Sequence, residues 1–472
     1  MSSDPLAADW LRTGDHQAET SAPAGRLVSC SIPAPGLTAA DFLNQAEGQP
    51  RFFWQDARES DLYAGFGTAV QLMAWGENRF EEIRQKAVQL FEQAQILGEH
   101  SAPILPRLFG GFSFRDDFTP DNTWAVFHPA HFVLPHYQLV QNDNGSWLTI
   151  NTVVAAGESL HEIDSILREA LQARYQSLLH EASGEPYKIA GIDFEIRYPM
   201  SYETWVDLVE RAVMDMASSE LKKVVLARVC ELKSRSRIDV CQALSFLNNN
   251  FPDCTRFLFE PRPYHAFYGA TPETLVKLEG TRLSTMALAG SMPRGRTNEE
   301  DRALAGELFN SAKERHEHQL VVDSIRRRLE PIAAHLNIPA EPEVYKLSYI
   351  QHLLTPVTAE LRTREPRAPF GILPMVQLLH PTPAMGGSPR ALAMDFIMKN
   401  EPVPRGWYAA PVGWLDSHMD GQFAVAIRSA VAQERRVWCY AGAGIVSESQ
   451  PDVEWTETEL KFRPMLRALN AA

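Results

Sequence analysis

The sequence predicts an α+β fold whose sheets are largely antiparallel. Most predicted strands come in pairs that a short turn can join, as Asp143-Asn144-Gly145 does between two apolar runs. Helical periodicity is confined to a few long segments and does not alternate regularly with the strands, which disfavours a parallel sheet built from strand–helix–strand units. A chain of 472 residues could hold several average domains or one large compound fold.

In the first half of the chain, two amphipathic helices stand among short strands. Residues 1–25 are rich in Ala, Ser and Asp, and we expect them to be frayed or loosely packed. Apolar runs predict strands over residues 51–54, 62–66, 137–140 and 146–153, and helical spacing predicts helices over 79–97 and 160–181. The polar stretch at 182–186 favours a boundary between an N-terminal region, 1–185, and a second region, 195–472.

The second half begins with a strongly amphipathic helix that Ser201 can cap. Its apolar stripe contains Trp205, Leu208, Val209, Ala212, Val213 and Met216. Strands dominate afterwards, interrupted by a long helical segment over 298–329. A last helix is predicted over 451–461.

Composition excludes several classes of protein. A net charge of −14 argues against a nucleic-acid partner, because a phosphate backbone requires a basic surface. No run of about 18 apolar residues could span a membrane, and the N-terminus is polar and acidic, unlike a signal segment. The cysteines lack a CxxC pair or framework spacing and fit a reducing compartment. We therefore expect a cytosolic protein, in which local cations or a metal would hold any anionic substrate.

The last helix carries the most distinctive charge pattern in the chain. Glu454, Glu457 and Lys461 follow the spacing i, i+3, i+7 and so share one helical face. Two carboxylates and an ammonium group on one face could hold a hard cation together with the anion that it binds. The alternative is a solvated first turn whose acids interact favourably with the helix dipole.

Lys223 and Glu317 are charged residues within apolar patterns. Lys223 opens an apolar strand, where a lysine is commonly an edge residue with its ammonium group in solvent. Glu317 lies on the apolar side of its predicted helix, and a buried carboxylate requires a partner. His316 and His318 flank it without the i, i+4 spacing of a helical zinc pair, and we expect both at the surface or the rim.

Glu273 precedes a strand that turns back at residues 279–280. Pairing about that turn places Glu273 opposite Ala289, Gly290 and Ser291. The carboxylate would then face a small-residue loop whose backbone a ligand can approach closely. A turn or capping carboxylate explains the same pattern equally well.

Three other residues could contact a ligand. A hairpin centred near residue 435 would bring Arg428 beside Gly442, and a guanidinium next to glycine backbone suits a carboxylate. An ordinary surface ion pair would also explain a strand arginine. His352 lies in an apolar run, where a hydrogen-bonded core histidine is the simplest interpretation. The loop at 380–384 is too rich in proline for regular structure and is expected to form a rigid wall.

Six motifs between residues 201 and 466 together resemble the chorismate-utilising enzymes, which include anthranilate, aminodeoxychorismate, salicylate and isochorismate synthases. In the order typical of that family, they are Lys-Val-Val-Leu-Ala-Arg, Gly-Ala-Thr-Pro-Glu, Leu-Ala-Gly-Ser, Arg-His-Glu-His, His-Pro-Thr-Pro-Ala and Glu-Trp-Thr-Glu-Thr-Glu-Leu-Lys. In the first half, Arg-Phe-Phe-Trp-Gln-Asp and Leu-Phe-Gly-Gly-Phe-Ser-Phe resemble the long isochorismate synthases of menaquinone pathways.

The resemblance implies an isochorismate synthase, an isomerase that adds water at C2 of chorismate and releases hydroxide from C4. Ammonia-using members carry glutamine at the position of Lys223, and aminodeoxychorismate synthases often carry lysine at that of Ala289. The nearest alternative is a salicylate synthase, which goes on to eliminate pyruvate. An ammonia-using synthase and a catalytically silent metal- or anion-binding homologue are weaker alternatives. Ser291 and Ala410 depart from the threonine and glycine common in the family.

The resemblance also implies a fold, a cofactor and site residues. Two stacked antiparallel sheets with outer helices would form one compound unit, with strands and helices from the N-terminal region. Lys223 would be the general base and Glu273, with a raised pKa, the general acid. Mg²⁺ would bind Glu317 and Glu457, with Glu454 nearby. Chorismate would be held by Ala289, Gly290, Ser291, His352, Arg428, Gly442 and Lys461. We expect a monomer without an amidotransferase subunit, whose product could feed quinone or siderophore synthesis.

Overall fold

The computed structural model describes residues 25–57, 59–98, 104–155, 157–181, 194–362 and 371–471. The strands are β1 (Arg26–Pro33), β2 (Arg51–Gln55), β3 (Leu62–Phe66), β4 (Val70–Ala74), β5 (Gln95–Leu97), β6 (Arg107–Phe112), β7 (Ala130–Leu134), β8 (Tyr137–Asn142), β9 (Gly145–Val154), β10 (Phe194–Arg197), β11 (Lys223–Ser234), β12 (Thr255–Arg262), β13 (His265–Thr271), β14 (Thr274–Glu279), β15 (Arg282–Pro293), β16 (Ala333–Asn337), β17 (Glu343–Lys346), β18 (Ile350–Leu361), β19 (Gly387–Ser388), β20 (Pro411–Asp416), β21 (Gly421–Val425), β22 (Ser429–Gln433) and β23 (Arg436–Ile445). The helices are α1 (Ala39–Asn44), α2 (Arg79–Glu92), α3 (Leu160–Glu181), α4 (Tyr202–Ser218), α5 (Val240–Asn250), α6 (Asn298–Asn310), α7 (Ala312–Leu329), α8 (Ile372–Leu379), α9 (Arg390–Asn400) and α10 (Pro451–Ala468).

Two sheets organise these strands. The larger sheet has the order β10-β11-β23-β22-β13-β12-β2-β3-β8-β9-β1-β5, and β19 pairs with β11. The second sheet has the order β16-β18-β15-β14-β21-β20-β6-β7-β4, and β17 pairs with β18. Within the described ranges, β1 and β5 form the one parallel pair. The predicted α+β fold with largely antiparallel sheets is confirmed.

The two sheets face each other across a shared apolar core. Phe52 and Phe259 of the larger sheet are buried in the same cluster as Phe109 and Phe423 of the second. The rings of Phe52 and Phe109 stack with their centroids 6.1 Å apart. A second cluster covers the outer face of the larger sheet with α1, α3, α5 and α10. Strands from the first half of the chain enter both sheets.

Two predicted helices have different bounds in the structure. The helix expected over 79–97 ends at Glu92, and Gln95–Leu97 instead pairs in parallel with β1. Strand pairing there overrides the local helical pattern. The segment expected over 298–329 is two helices, because Ser311 has an extended backbone and accepts a hydrogen bond from the Glu314 amide as the N-cap of α7.

Other predicted elements agree with the structure to within a few residues. Ser201 caps α4 by accepting a hydrogen bond from the Thr204 amide. The helix over 160–181 and the hairpin of β8 and β9 are present. The loose segment expected at the N-terminus falls largely, and the boundary at 182–186 entirely, outside the described residues. Of the helices in the described ranges, none combines the length and apolar character needed to cross a membrane.

Candidate active site

One pocket gathers the predicted residues from strands and helices far apart in the sequence. All of them except Lys223 and Glu454 line it, and it encloses about 690 Å³, part of which is open to solvent. The wall also contains Ala384 and Met385, from the proline-rich loop that follows the cis peptide bond between His380 and Pro381. Tyr408 and Tyr440 also line the pocket. The lining therefore combines charged and polar groups with apolar ones, which suits a small anion with a carbon ring.

Lys223 is buried against two residues of the pocket lining, Glu317 and Gly444, and is not an exposed edge residue. It is the first residue of β11, between β19 and β23, and its side chain is 1 % exposed. Its Nζ lies 2.7 Å from Oε1 of Glu317 on α7. A Cβ at Gly444 of β23 would lie 2.9 Å from that oxygen and 3.0 Å from Cε of Lys223. Glycine at 444 therefore makes room for this ion pair.

Glu273 faces the same pocket from the turn between β13 and β14. Glu273 and the loop at 289–291 line the same pocket, whereas the paired residues of β14 and β15 are 277–279 with 282–284. Burial raises the pKa of Glu273 to about 8, against the opposing charges of Lys223 and Lys461. The carboxyl group therefore carries a proton near neutral pH, the state that a general acid requires.

This raised pKa predicts that Glu273 destabilises the fold as the pH rises. In the native state the proton is held up to about pH 8, whereas an unfolded glutamate releases it near its ordinary value of 4.5. Between these values the native state binds more protons, so its stability falls by about 1.4 kcal/mol per pH unit. Urea unfolding should show Glu273→Gln gaining stability over wild type from about pH 5 to 8, with no further gain above.

The exposed Glu279, at the end of β14, provides the matched control. Glu279→Gln should track the wild-type protein across this range. A Glu273→Gln advantage that does not change with pH would mean that the native carboxyl group is already ionised.

Two helices contribute carboxylates in matching i, i+3 pairs, Glu314 with Glu317 on α7 and Glu454 with Glu457 on α10. Burial, and next the charge of Glu457, raises the pKa of Glu454 to about 7. Burial would also raise the pKa of Glu457, but Lys461, with Nζ 2.7 Å from its Oε1, outweighs this effect and lowers it. The cluster thus concentrates negative charge in a poorly solvated place.

Glu314 is a member of this cluster that the sequence analysis missed. Its Oε2 accepts a hydrogen bond of 2.9 Å from the amide of Ser291. Gly290 adopts φ +77° in a bulge of β15, and its backbone packs against Glu314. Burial and the charge of Glu317 raise the pKa of Glu314. The repeated Glu-x-x-Glu spacing on the two helices was the signal that could have identified it.

The carboxylates fit a hard divalent cation by chemistry. Oxygen ligands of this kind are those that Mg²⁺ prefers. In the described part of the chain, no three acidic, His or Cys side chains already surround a common point. Lysines engage the carboxylates instead: Lys223 with Glu317, Lys461 with Glu457, and Lys313, whose Nζ is 3.4 Å from Oε1 of Glu454. These ammonium groups stand where a cation would compete for the same oxygens.

His352 presents an unused nitrogen to the pocket. Its Nδ1 lies 3.1 Å from both the Gly290 carbonyl oxygen and Oγ of Ser291. Because a carbonyl only accepts, Nδ1 carries the hydrogen and Nε2 is left as an acceptor. Among the described residues, the buried Nε2 has no hydrogen-bond partner. Burial lowers the pKa of His352 to about 3, so the ring is neutral and can accept a hydroxyl hydrogen from a ligand.

Arg428 and Lys461 supply positive charge to the pocket. Arg428 is buried with φ 50° just before β22, and burial lowers the pKa of its guanidinium group. Among the described residues, none accepts a hydrogen bond from that group, which is therefore available to an anion. Lys461 donates a 2.9 Å hydrogen bond to the carbonyl oxygen of Gly442, and both line the pocket.

His316 is exposed, as predicted, but the prediction for His318 is wrong. His318 is 2 % exposed, and its Nε2 lies 2.8 Å from Oγ1 of Thr355 in β18. It faces the sheet because α7 packs on β15 and β18. The sequence placed it beside an acidic residue but did not show which helical face met the sheet.

Comparison with known proteins identifies the family. Residues 15–470 match the model of a family described as chorismate binding enzyme. The chain belongs to the chorismate-binding enzyme family. It is 32 % identical over 455 residues to isochorismate synthase MenF of Bacillus subtilis, covering 94 % of this chain and 93 % of that one. It is 35 % identical over 451 residues to the salicylate biosynthesis isochorismate synthase of Pseudomonas aeruginosa, covering 93 % and 92 %.

The fold is also that of a solved relative. The structure of MenF, the menaquinone-specific isochorismate synthase from Escherichia coli, aligns with a TM-score of 0.76 and 24 % identity, over 96 % of each chain. The chorismate-binding fold predicted from the motifs is therefore confirmed.

Proposed function

We propose that this chorismate-binding enzyme is an isochorismate synthase, which converts chorismate reversibly to isochorismate. The observation that supports this most directly is that a protonated carboxylic acid, Glu273, lines the pocket within reach of the charge of the buried Lys223, which pairs with the pocket residue Glu317. Hydroxyl exchange requires a base for the incoming water and an acid for the departing hydroxide. The two long relatives described above, both named isochorismate synthases, support the same activity.

In this proposal Lys223 accepts a proton from the water that adds at C2. Glu273 protonates the hydroxyl group that leaves C4 while the ring double bonds shift. Lys223 can serve as a base only when a lone pair of its Nζ is free, and in this structure that nitrogen is engaged in an ion pair 2.7 Å from Oε1 of Glu317. Engagement of Glu317 by another cation is therefore a condition for activity.

We propose Mg²⁺ as that cation, held by Glu317 and Glu457 with Glu454 nearby. When bound, it would supply positive charge that orients the ring carboxylate of chorismate and balances the acidic cluster. Arg428 and Lys461 would bind the pyruvyl carboxylate, and Gly442 would leave space for its approach. The neutral His352, with Ser291 and its loop neighbours Ala289 and Gly290, would contact the ring hydroxyl groups.

Removal of Mg²⁺ should abolish activity, and the carboxylates of Glu317 and Glu457 should be needed for Mg²⁺ to restore it. Excess EDTA is expected to stop isochorismate formation and added Mg²⁺ to restore it. In Glu317→Gln and Glu457→Gln, titration calorimetry should show weaker Mg²⁺ binding, because a hard cation loses a charged oxygen ligand. Asp452→Asn, at an exposed position in the first turn of α10, is the control. Full wild-type activity in EDTA would contradict the metal assignment.

Product analysis tests the activity itself. Purified protein with chorismate and Mg²⁺ should yield isochorismate by chromatography and should regenerate chorismate from isochorismate. Accumulation of salicylate and pyruvate would instead identify a salicylate synthase. Product that contains nitrogen, formed only with ammonia, would overturn the water-using mechanism.

We also propose that the chain acts as a monomer in the cytoplasm without an amidotransferase subunit. The support is that both active-site groups and the carboxylate cluster come from one chain. Size-exclusion chromatography with light scattering tests this directly. The names of the relatives associate the activity with menaquinone in one case and salicylate in another, so the destination of the product is a question of metabolic context.

A further inference from the structure

Arg228, a second charged residue of β11, contacts α10 on a flank that does not face the pocket. Arg228 is 1 % exposed, and its guanidinium carbon lies 3.1 Å from the ring centroid of Trp455. Its Nη1 donates to Oγ1 of Thr458 at 2.5 Å, and its Nη2 to Oε1 of Glu459 at 3.1 Å. One guanidinium group thus contacts three residues of the helix that carries the acidic cluster.

These contacts are made on a flank adjacent to the pocket-facing residues. At 100° per residue, Trp455, Thr458 and Glu459 form one stripe, and Glu457 and Lys461 belong to another about a third of a turn away. Rotating α10 about its axis would therefore break the Arg228 contacts and turn the carboxylates away from α7 together.

The helix has few local features that fix its own orientation. Its N-cap residue, Gln450, makes no side-chain capping bond, and Pro464 interrupts the hydrogen bonding of its interior. Contacts from other elements hold its first turns, among them the bond of 3.0 Å from Nε1 of Trp205 to the Pro451 carbonyl, the ion pair of Lys313 with Glu454, and the bonds of Arg228. The position of the acidic residues thus depends on partners outside the helix.

A purely space-filling role does not require a buried charge. A methionine or leucine would fill the same volume without the cost of desolvating a guanidinium group. Among the residues that the structure describes, the carboxylate that pairs with Arg228 is that of Glu459, which is 38 % exposed and neutralises the guanidinium group incompletely. An arginine suits this position because its forked donors and flat face match three groups of α10 at once.

We propose that Arg228 is a positioning residue that sets the rotation of α10 and thereby holds Glu454 and Glu457 in the geometry that binds the divalent cation. The inference rests on the proposed function, in which the acidic cluster binds Mg²⁺. Partners that orient metal ligands in this way typically contribute 10- to 100-fold to metal affinity. Arg228 touches neither substrate nor metal in this account.

Titration calorimetry with Mg²⁺ alone, on the full chain, tests the proposal in three variants. Arg228→Met and the milder Thr458→Val should both raise the dissociation constant, by about tenfold or more for Arg228→Met. Thr149→Val is the matched control, since Thr149 is equally buried but bonds Ser31 at the far side of the larger sheet. It should lose stability without loss of affinity. In the double variant, the losses of Mg²⁺ affinity caused by Arg228→Met and Thr458→Val should not add, because both substitutions remove the same hydrogen bond.

Kinetics at saturating and limiting Mg²⁺ give a second measurement. In Arg228→Met, excess Mg²⁺ should recover most of kcat, whereas a general loss of folding would not be recovered. A variant that is less stable yet binds Mg²⁺ as the wild type does would overturn the proposal. If the wild-type protein binds no divalent cation, the assignment of Mg²⁺ to the acidic cluster is wrong. Hydrogen exchange then tests independently whether Arg228 positions α10. Faster exchange of residues 451–461 in Arg228→Met than in Thr149→Val supports its positioning role, and equal exchange refutes it.

Discussion

Replacement of Lys223 by glutamine is expected to reduce isochorismate formation by at least about 100-fold, the lower end of what a positioned acid or base contributes. Glutamine has nearly the length of the lysine stem but no basic lone pair, so water is no longer activated. The amide can still donate a hydrogen bond to Glu317, and we expect the fold and the binding of Mg²⁺ to persist. Circular dichroism, calorimetry and a chorismate assay on the same preparation separate these effects.

Lys222→Gln is the matched control for this experiment. Lys222 is the exposed neighbour of the buried Lys223, so its replacement changes the same charge without reaching the pocket. Lys222→Gln should form isochorismate at the wild-type rate. If ammonia supports slow amination of chorismate by Lys223→Gln, the assignment of the base gains support. Wild-type activity of Lys223→Gln would refute it.

The variant also provides an electrostatic measurement. Lys223 opposes the effect of burial on Glu273, so its removal should raise the pKa of that carboxyl group above about 8. The pH at which the stability difference between Lys223→Gln and Lys223→Gln/Glu273→Gln stops growing should move upward accordingly.

The fold was largely predictable because its hairpins are local. The turn at residues 279–280, for example, joins β14 and β15 as predicted, although the observed register differs by at least one residue from the one that would place Glu273 opposite 289–291. Long-range pairing was not predictable in the same way: β5 is a strand because β1 lies beside it, against the helical pattern of its own residues. The break at Ser311 was missed because one serine changes backbone direction without interrupting the polar and apolar pattern around it.

The site residues were predicted from the family motifs, and the structure brings all of them except Lys223 and Glu454 into the lining of one pocket. What the sequence could not show was which lysine meets which carboxylate. The contact of Lys313 with Glu454 joins residues 141 positions apart. Gly444 and Glu314 were missed for the same reason, since their importance depends on atoms of other elements, the ion pair of Lys223 in one case and the Ser291 amide in the other.

Glu273→Gln is expected to lower kcat by at least about 100-fold. The substitution keeps the shape and a hydrogen-bond donor, but an amide cannot deliver a proton to the hydroxyl group that leaves C4. The fold should persist and gain stability at higher pH, since the native carboxyl group is buried and protonated up to about pH 8. A loss of activity together with a gain of stability would separate catalytic damage from unfolding.

The reverse reaction must be affected as well. Isochorismate returns to chorismate with the two roles exchanged, so Glu273 would then accept a proton and Lys223 would donate one. Because a catalyst cannot change the equilibrium constant, kcat/KM must fall by the same factor in both directions, and assays from each substrate provide an internal check. The wild-type profile of kcat/KM against pH should contain an inflection near pH 8 from Glu273, which the variant lacks. Glu279→Gln should retain it. If Glu273→Gln keeps near-wild-type kcat, or keeps the same inflection, another group supplies the proton and the acid assignment is wrong.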